Sequence, residues 1–230
     1  MKIGGFQEIS LLDYPGRIAA IVWTMGCNFR CPFCYNRDLV LDKTDQIPVD
    51  VIFSYLDERK GKIDAVSISG GEPFLQSDLE GFVSTIKEKG FLVKIDTNGS
   101  FPKQLEQMLD NSLIDYISMD VKAPKISYEK VTNTSIDIEK INASIQNIRE
   151  KAPDYEFKTT VIPYFHTKED IIEIAHWLKG SKKYYIQQFK HTSPLLSKSF
   201  NTEKSYAKED LEMICQQIKP FFDKCEVRGI

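Results

Sequence analysis

The chain has 230 residues, 42% hydrophobic and 27% charged, which excludes a disordered or fibrous protein. A net charge of −3 offers no bulk electrostatic grip on nucleic acid or on an anionic membrane. No apolar run approaches the roughly 20 residues that span a bilayer. Residues 1–6 lack the charged leader and apolar stretch of a secretory signal, so a reducing cytoplasm is the expected compartment.

Residues 1–17 read as an N-terminal extension leading into a first strand at 18–25. A helix at 49–59 follows Pro48, which suits a helix start. Strand 63–69 comes next, then a helix at 78–89 whose Ser77-x-x-Glu80 reads as a capping box. Strand 92–96, a helix at 102–109 opened by Pro102, and strand 116–121 continue the alternation. The helix at 138–149 puts Ile138, Ile141, Ile145 and Ile148 on one stripe. Strand 156–163 leads to Thr167-x-x-Asp170 and a helix with Ile171, Ile174, Ala175 and Leu178 on its apolar side. Strand 183–189, a last helix marked by Leu211, Ile214, Cys215 and Ile218, and a short strand around Val227 complete the chain.

Six strands alternating with helices imply parallel βαβ units in an α/β fold, read here as one domain over 1–230. The pattern fits an open doubly wound sheet or a barrel, and the dinucleotide glycine fingerprint is absent. In either closure, chemistry belongs at the carboxyl ends of the strands.

One segment there carries metal-binding chemistry. Cys27, Cys31 and Cys34 are spaced C-x3-C-x2-C directly after the first strand. In a reducing compartment, three crowded cysteines read as metal ligands rather than disulfides. Three thiolates on one loop can hold a 4Fe–4S cluster and leave one iron without a protein sulfur. The alternative is a zinc site, but the three histidines (His166, His176 and His191) all lie far downstream. Cys215 falls on an apolar helical stripe and reads as core; Cys225 reads as structural. The second strand runs into Gly70-Gly71-Glu72-Pro73. Two glycines allow close backbone approach to a ligand, and Glu72 can hold an ammonium. Asp120 and Lys122 alternate along a strand and so share a face.

Taken together, Cys27–Asn36 and Gly70–Pro73 resemble the radical S-adenosylmethionine (SAM) superfamily. With Gly5-Phe6 and Leu12-Asp13-Tyr14-Pro15-Gly16, the chain resembles the anaerobic ribonucleoside-triphosphate reductase activating proteins. Asp96-Thr97-Asn98-Gly99 and Met119-Asp120-Val121-Lys122 are similar to segments of the pyruvate formate-lyase activating enzymes. The resemblance implies a partial (β/α)6 barrel of radical SAM type, open on one side. It implies two cofactors, a 4Fe–4S cluster on Cys27, Cys31 and Cys34, and SAM on the open iron. Reductive cleavage of SAM would give a 5′-deoxyadenosyl radical, which takes a hydrogen atom from a glycine of a partner enzyme. Phe33, Tyr35 and Asn36 would then lie against the adenosine. Gly70, Gly71 and Glu72 would hold the methionyl ammonium. Asp120 and Lys122 would reach the ribose and carboxylate, and Asp96 with Thr97 would help form a monovalent cation site. Lys158 stands where pyruvate formate-lyase activases carry an arginine, and Gln187 and Gln188 end the sixth strand near the adenosine. The implied partners are an anaerobic ribonucleotide reductase and a flavodoxin or ferredoxin donor, with no membrane and no nucleic acid. Residues 35–70 contain no further cysteine, which implies a one-cluster enzyme. The loop 193–205 reads as a lid or docking loop. The runner-up function is a radical SAM enzyme acting on a small molecule or nucleotide, or an activase of another glycyl radical enzyme.

Overall fold

The computed structural model describes residues 1–190, 194–202 and 204–230. Eight strands form one sheet in the order β1 to β8. They are β1 (Ile3–Ser10), β2 (Ala19–Thr24), β3 (Ala65–Gly70), β4 (Leu92–Thr97), β5 (Tyr116–Asp120), β6 (Asp154–Val161), β7 (Lys183–Gln188) and β8 (Lys224–Arg228). β1 runs antiparallel to β2, and every later pair is parallel. The helices are α1 (Arg37–Val40), α2 (Val49–Glu58), α3 (Leu79–Glu88), α4 (Pro102–Asp110), α5 (Tyr128–Thr132), α6 (Ile138–Lys151), α7 (Lys168–Trp177) and α8 (Lys208–Ile218).

The strand order settles the closure. A doubly wound sheet reverses its strand order at a switch point. Here the order never reverses, so crossovers of one hand place every helix on the same face and the sheet curls. β1 and β8 remain at its two edges, so the barrel is partial and open on one side. The sheet holds seven parallel strands rather than six, because β8 extends the arc and β1 adds an antiparallel edge within residues 1–17.

Alternation along each strand separates two interiors. Val93, Ile95, Ile117, Met119 and Phe157 face the helices and are fully buried. Each such side chain contributes about 1.5–3 kcal/mol by leaving water. Ile52, Leu56, Val83, Ile86, Leu105, Ile141, Ile148, Ile171, Ile174, Leu211 and Ile218 supply the helical side of that core. The opposite face of the strands carries Lys94, Asp96, Tyr116, Ser118, Asp120, Glu156 and Lys158, so the barrel lumen is polar.

Helix starts depart from the sequence reading at one place. Thr167 and Asp170 form the reciprocal capping box that opens α7. Ser77 and Glu80 do not: Asp78 is the N-cap of α3 and makes no side-chain cap bond. Glu80 instead accepts from the side chains of Gln107 and Asn111 on and after α4, tying neighbouring helices. Among the described residues, no helix is long and apolar enough to cross a membrane.

Candidate active site

At the carboxyl ends of the strands lies a cavity of about 480 Å³. Its wall brings together Cys27, Cys31, Cys34, Phe33, Tyr35, Asn36, Gly70, Gly71, Asp96, Asp120 and Lys122, which the sequence scatters over nearly a hundred positions. Phe29, Val40, Ser69, Thr97, Asn98, Lys158, Thr160, Gln187, Gln188 and Lys190 complete the wall.

The cysteine loop is held from several sides. Gly26, at φ 79°, turns the chain out of β2. The Glu72 amide donates to the Gly26 carbonyl at 2.9 Å, and the Gly71 amide to the Thr24 carbonyl at 2.9 Å. The Arg30 guanidinium folds back on the carbonyls of Cys27 and Phe29. Beyond β7, the amides of Leu196 and Ser197 donate to the carbonyls of Cys34 and Pro32 at 3.1 and 2.9 Å. The segment 194–202 is thus laced to the cysteine loop through Leu196 and Ser197. Within 193–205, Ser193 and Glu203 lie outside the described residues, as does His191.

Both glycines before Glu72 are demanded by backbone contact. Gly70 has φ 113°, and a Cβ there would strike the Thr24 backbone. A Cβ on Gly71 would fall into the Gly26 carbonyl. The close approach that the sequence suggested for a ligand is therefore first an approach of two loops, although both glycines also line the cavity.

Glu72 is held within the protein. It has no solvent exposure and does not line the cavity. Its carboxylate accepts from the Thr97 hydroxyl at 2.8 Å, the Asn98 amide at 2.7 Å and the Phe74 amide at 3.2 Å. Burial pushes its pKa up to about 7, against the pull of those donors. As placed, Glu72 pins the turn after β3 to the turn after β4 and presents no oxygen to a ligand in the cavity.

The charges form a chain along the lumen. Lys94 Nζ lies 2.7 Å from Asp96 Oδ2, and Lys158 Nζ lies 2.9 Å from Asp96 Oδ1. Lys158 also reaches Asp120 Oδ2 at 3.6 Å, and Lys122 reaches Asp120 Oδ1 at 3.1 Å. Burial opposes these charges, but opposite neighbours prevail: Asp96 and Asp120 fall below the usual carboxylate range, and Lys122 and Lys158 rise above the usual lysine value. Each oxygen of Asp96 is met by an ammonium, and the Thr97 hydroxyl is given to Glu72. Lys94 and Lys158 thus both pair with Asp96, the residue expected to help form a monovalent cation site. Lys158 is not a free point charge aimed at a ligand.

Lys122 also faces the thiols. Burial raises Cys27 to about 11, Cys31 to about 12 and Cys34 by a smaller margin, while the Lys122 ammonium pulls all three down. The Phe29 amide points at Cys27 Sγ at 3.4 Å. Among the described residues, no three His, Cys, Asp or Glu side chains converge where one metal ion could sit. Three thiols on one cavity wall without a common focus fit a multi-iron cluster, in which each thiolate takes its own iron.

Two further groups went unread in the sequence. His166 is fully buried; its Nδ1 accepts from the Ile162 amide at 3.1 Å, which leaves Nε2 to donate to the Lys122 carbonyl at 2.8 Å. This neutral tautomer ties the turn after β6 to the turn carrying Lys122, and burial lowers its pKa. Asn98 donates to Asn28 at 2.9 Å, and Asn28 donates to Ser100 at 2.9 Å, so the cysteine loop is also fastened to the turn after β4. Asn98 sits in a motif the sequence reading named, but its partner is seventy residues away. Tyr35 stacks on Phe189 at 5.7 Å, and its hydroxyl accepts from the Lys190 amide. Asn36 donates to the Gly70 carbonyl at 2.8 Å.

Comparison with known proteins agrees with this site. The pattern of the Radical SAM superfamily matches residues 21–178. A Methanocaldococcus jannaschii protein assigned by name to the glycyl-radical enzyme activating enzymes is 34% identical over 99% of this chain and 96% of its own length. A pyruvate formate-lyase-activating enzyme of Staphylococcus aureus is 27% identical over 76% of this chain and 74% of its own. The fold resembles that of Streptococcus suis SuiB bound to S-adenosylmethionine, with a TM-score of 0.72 and 16% identity over 91% of this chain; the chain spans about half of SuiB. A domain of a Bacteroides vulgatus pyruvate-formate lyase-activating enzyme aligns over 72% of this chain and 99% of its own length, with a TM-score of 0.55 and 15% identity. The chain belongs to the radical SAM superfamily, among the glycyl-radical enzyme activases, and its cofactors are a 4Fe–4S cluster and S-adenosylmethionine.

Proposed function

We propose that the protein installs a glycyl radical on an anaerobic ribonucleoside-triphosphate reductase. The observation that carries this reading is the mouth itself: three thiols on one laced loop, facing Lys122 across an open cavity of about 480 Å³. Cys27, Cys31 and Cys34 would hold the cluster, and the missing fourth cysteine leaves one iron for SAM. When bound, the reduced cluster supplies the electron that breaks the sulfonium C–S bond of SAM and so provides a 5′-deoxyadenosyl radical.

The chain's own residues prepare that site. The raised thiol pKa values mean that metal binding must displace protons, and Lys122 offsets the thiolate charge that results. The backbone of Gly70 and Gly71 would meet the methionyl amino group, held in place by Glu72 from behind. Lys122 and Asp120 would meet the carboxylate and ribose. Phe33, Tyr35 and Asn36 would receive the adenosine, with Tyr35 fixed by Phe189. Asp96 would act as an anchor for Lys94 and Lys158 rather than as a contact.

The open side of the barrel needs a cover, because water must be kept from a reactive radical. A glycine loop of the partner would enter there. The ribonucleotide reductase target rests on the segment Leu12–Gly16 and its resemblance to that branch. A flavodoxin or ferredoxin of a reducing cytoplasm would supply the electron. The test mixes the reduced holoprotein and SAM with candidate glycyl-radical enzymes and reads electron paramagnetic resonance. A glycyl doublet on the reductase supports the proposal. A doublet on another enzyme only would redirect the target, and SAM cleavage driven by a nucleotide alone would favour the small-molecule reading.

A further inference from the structure

Two cysteines take no part in the mouth. Cys215 lies in the last turns of α8, and Cys225 is the second residue of β8. Their sulfurs stand 3.4 Å apart, in direct contact. Cys225 pairs in register with Tyr184, near the amino end of β7, whereas the cavity lies at the carboxyl end with Gln187 and Gln188. The pair is therefore at the opposite end of the sheet from the cysteine loop, and Cys225 is no reserve ligand for a cluster. With no third His, Cys, Asp or Glu converging on them among the described residues, two thiols alone do not make a metal site.

What two touching thiols can do is exchange. We propose that Cys215 and Cys225 form a reversible disulfide by exchange with small-molecule disulfides, stapling α8 to the edge strand of the barrel. The two thiols are not equivalent. Contact with Cys225 and the nearby Lys219 ammonium hold Cys215 below the usual thiol value despite burial. Cys225 is pushed above it, by its neighbour and by burial. Cys215 is accordingly the attacking sulfur. Its thiolate attacks a small disulfide RS–SR, forming a mixed disulfide and releasing one RS⁻. Cys225 then attacks the Cys215 sulfur, forming the internal bond and releasing the second thiol. Two protein thiols and one RS–SR become one protein disulfide and two RSH, with two electrons passed to the small disulfide.

The site is placed where a staple would matter. β8 pairs with β7 on one side and forms the sheet edge on the other. Its Arg228 closes the lumen floor: the guanidinium forks onto Glu156 at 2.7 and 2.9 Å and lies over the Tyr185 ring. Glu156 also accepts from the hydroxyls of Tyr116 and Ser118. Fixing α8 to β8 fixes the strand that carries this fork.

The probe is oxidised glutathione, applied anoxically to the full-length holoprotein, followed by acid quenching, alkylation and tryptic mass spectrometry. Trypsin cuts after Lys224 and spares Lys219 before Pro220, so the two cysteines fall on separate peptides. The expected result is peptide 209–224 linked to 225–228, reversed by dithiothreitol. Cys225→Ser should trap glutathione on Cys215, whereas Cys215→Ser should leave Cys225 unmodified. The oxidised wild type should also unfold at a higher urea concentration than the reduced form, and Cys225→Ser should show no such shift. Full alkylation of both thiols after glutathione treatment would overturn the proposal. So would linkage of either one only to Cys27, Cys31 or Cys34.

Discussion

Five cysteines occur in two regions, and the regions treat the same thiol differently. Cys27, Cys31 and Cys34 line the mouth with an ammonium before them and no common focus. Cys215 and Cys225 touch each other at the far end of the sheet, between a helix and an edge strand. Cys31 and Cys225 are about equally buried, 7% and 5% exposed, whereas Cys27 and Cys34 are half-buried, so burial alone does not sort the five. Spacing and partners do. Thiols spread along one cavity wall suit a body larger than an ion; thiols in contact suit each other.

The comparison breaks most completely at Gly71. Gly71→Ala puts a methyl group into the Gly26 carbonyl and separates the two loops that shape the mouth. A loss on the order of 3 kcal/mol or more is expected, with bound iron abolished. Urea unfolding and iron analysis check both, and the Cys215–Cys225 end should keep its disulfide chemistry in whatever fraction folds.

Next is Lys158→Met, which takes one ammonium from between Asp96 and Asp120. A loss of about 3 kcal/mol is expected at neutral pH. Because both carboxyls are held below the ordinary value of 3.8, their contribution is full above it and fades as pH falls through their folded values. The gap between variant and wild type should therefore shrink in acid, which pH-dependent unfolding would show. Activity that persists when potassium and sodium are replaced by a bulky tetraalkylammonium would agree with Lys94 and Lys158 serving as built-in counter-ions.

Glu72→Gln sharpens the distinction between holding a loop and holding a ligand. The amide cannot accept from all three donors, so about 1–3 kcal/mol is expected to be lost. SAM affinity measured anoxically should fall only as far as the loop loosens. The raised pKa adds a sign. The folded state keeps the Glu72 proton between about 4.5 and 7, so this group favours folding less as pH rises through that window, and the variant should lose that dependence.

Cys215→Ala should have the smallest effect, at most about 1.5 kcal/mol, with iron content unchanged. Cys31→Ala should fold and hold no cluster. Equal iron loss in both variants would erase the difference between the two regions.

Much of this architecture is legible in the chain. The parallel strands carry continuous Val, Ile and Tyr runs, and the cysteine spacing with Gly70-Gly71 marks the mouth. β1 was not legible, because Gly4, Gly5, Gln7 and Glu8 interrupt its apolar pattern, and an antiparallel edge strand draws its stability from β2. The fates of Glu72, Asp96 and His166 were hidden for a different reason. Each is set by a partner from another turn of the barrel: Glu72 by Asn98, Asp96 by Lys158, His166 by Lys122. A motif shows which residues meet at a barrel mouth; it does not show which of them face the ligand and which face each other.

The most direct test is to rebuild the holoprotein without oxygen, count its metal and record the reduced spectrum with and without SAM. About four irons and four sulfides per chain are expected, with an electron paramagnetic resonance signal that changes when SAM is added and is lost in Cys31→Ala. A colourless protein carrying one zinc, or a cluster whose signal ignores SAM, would contradict an iron left open by three thiolates.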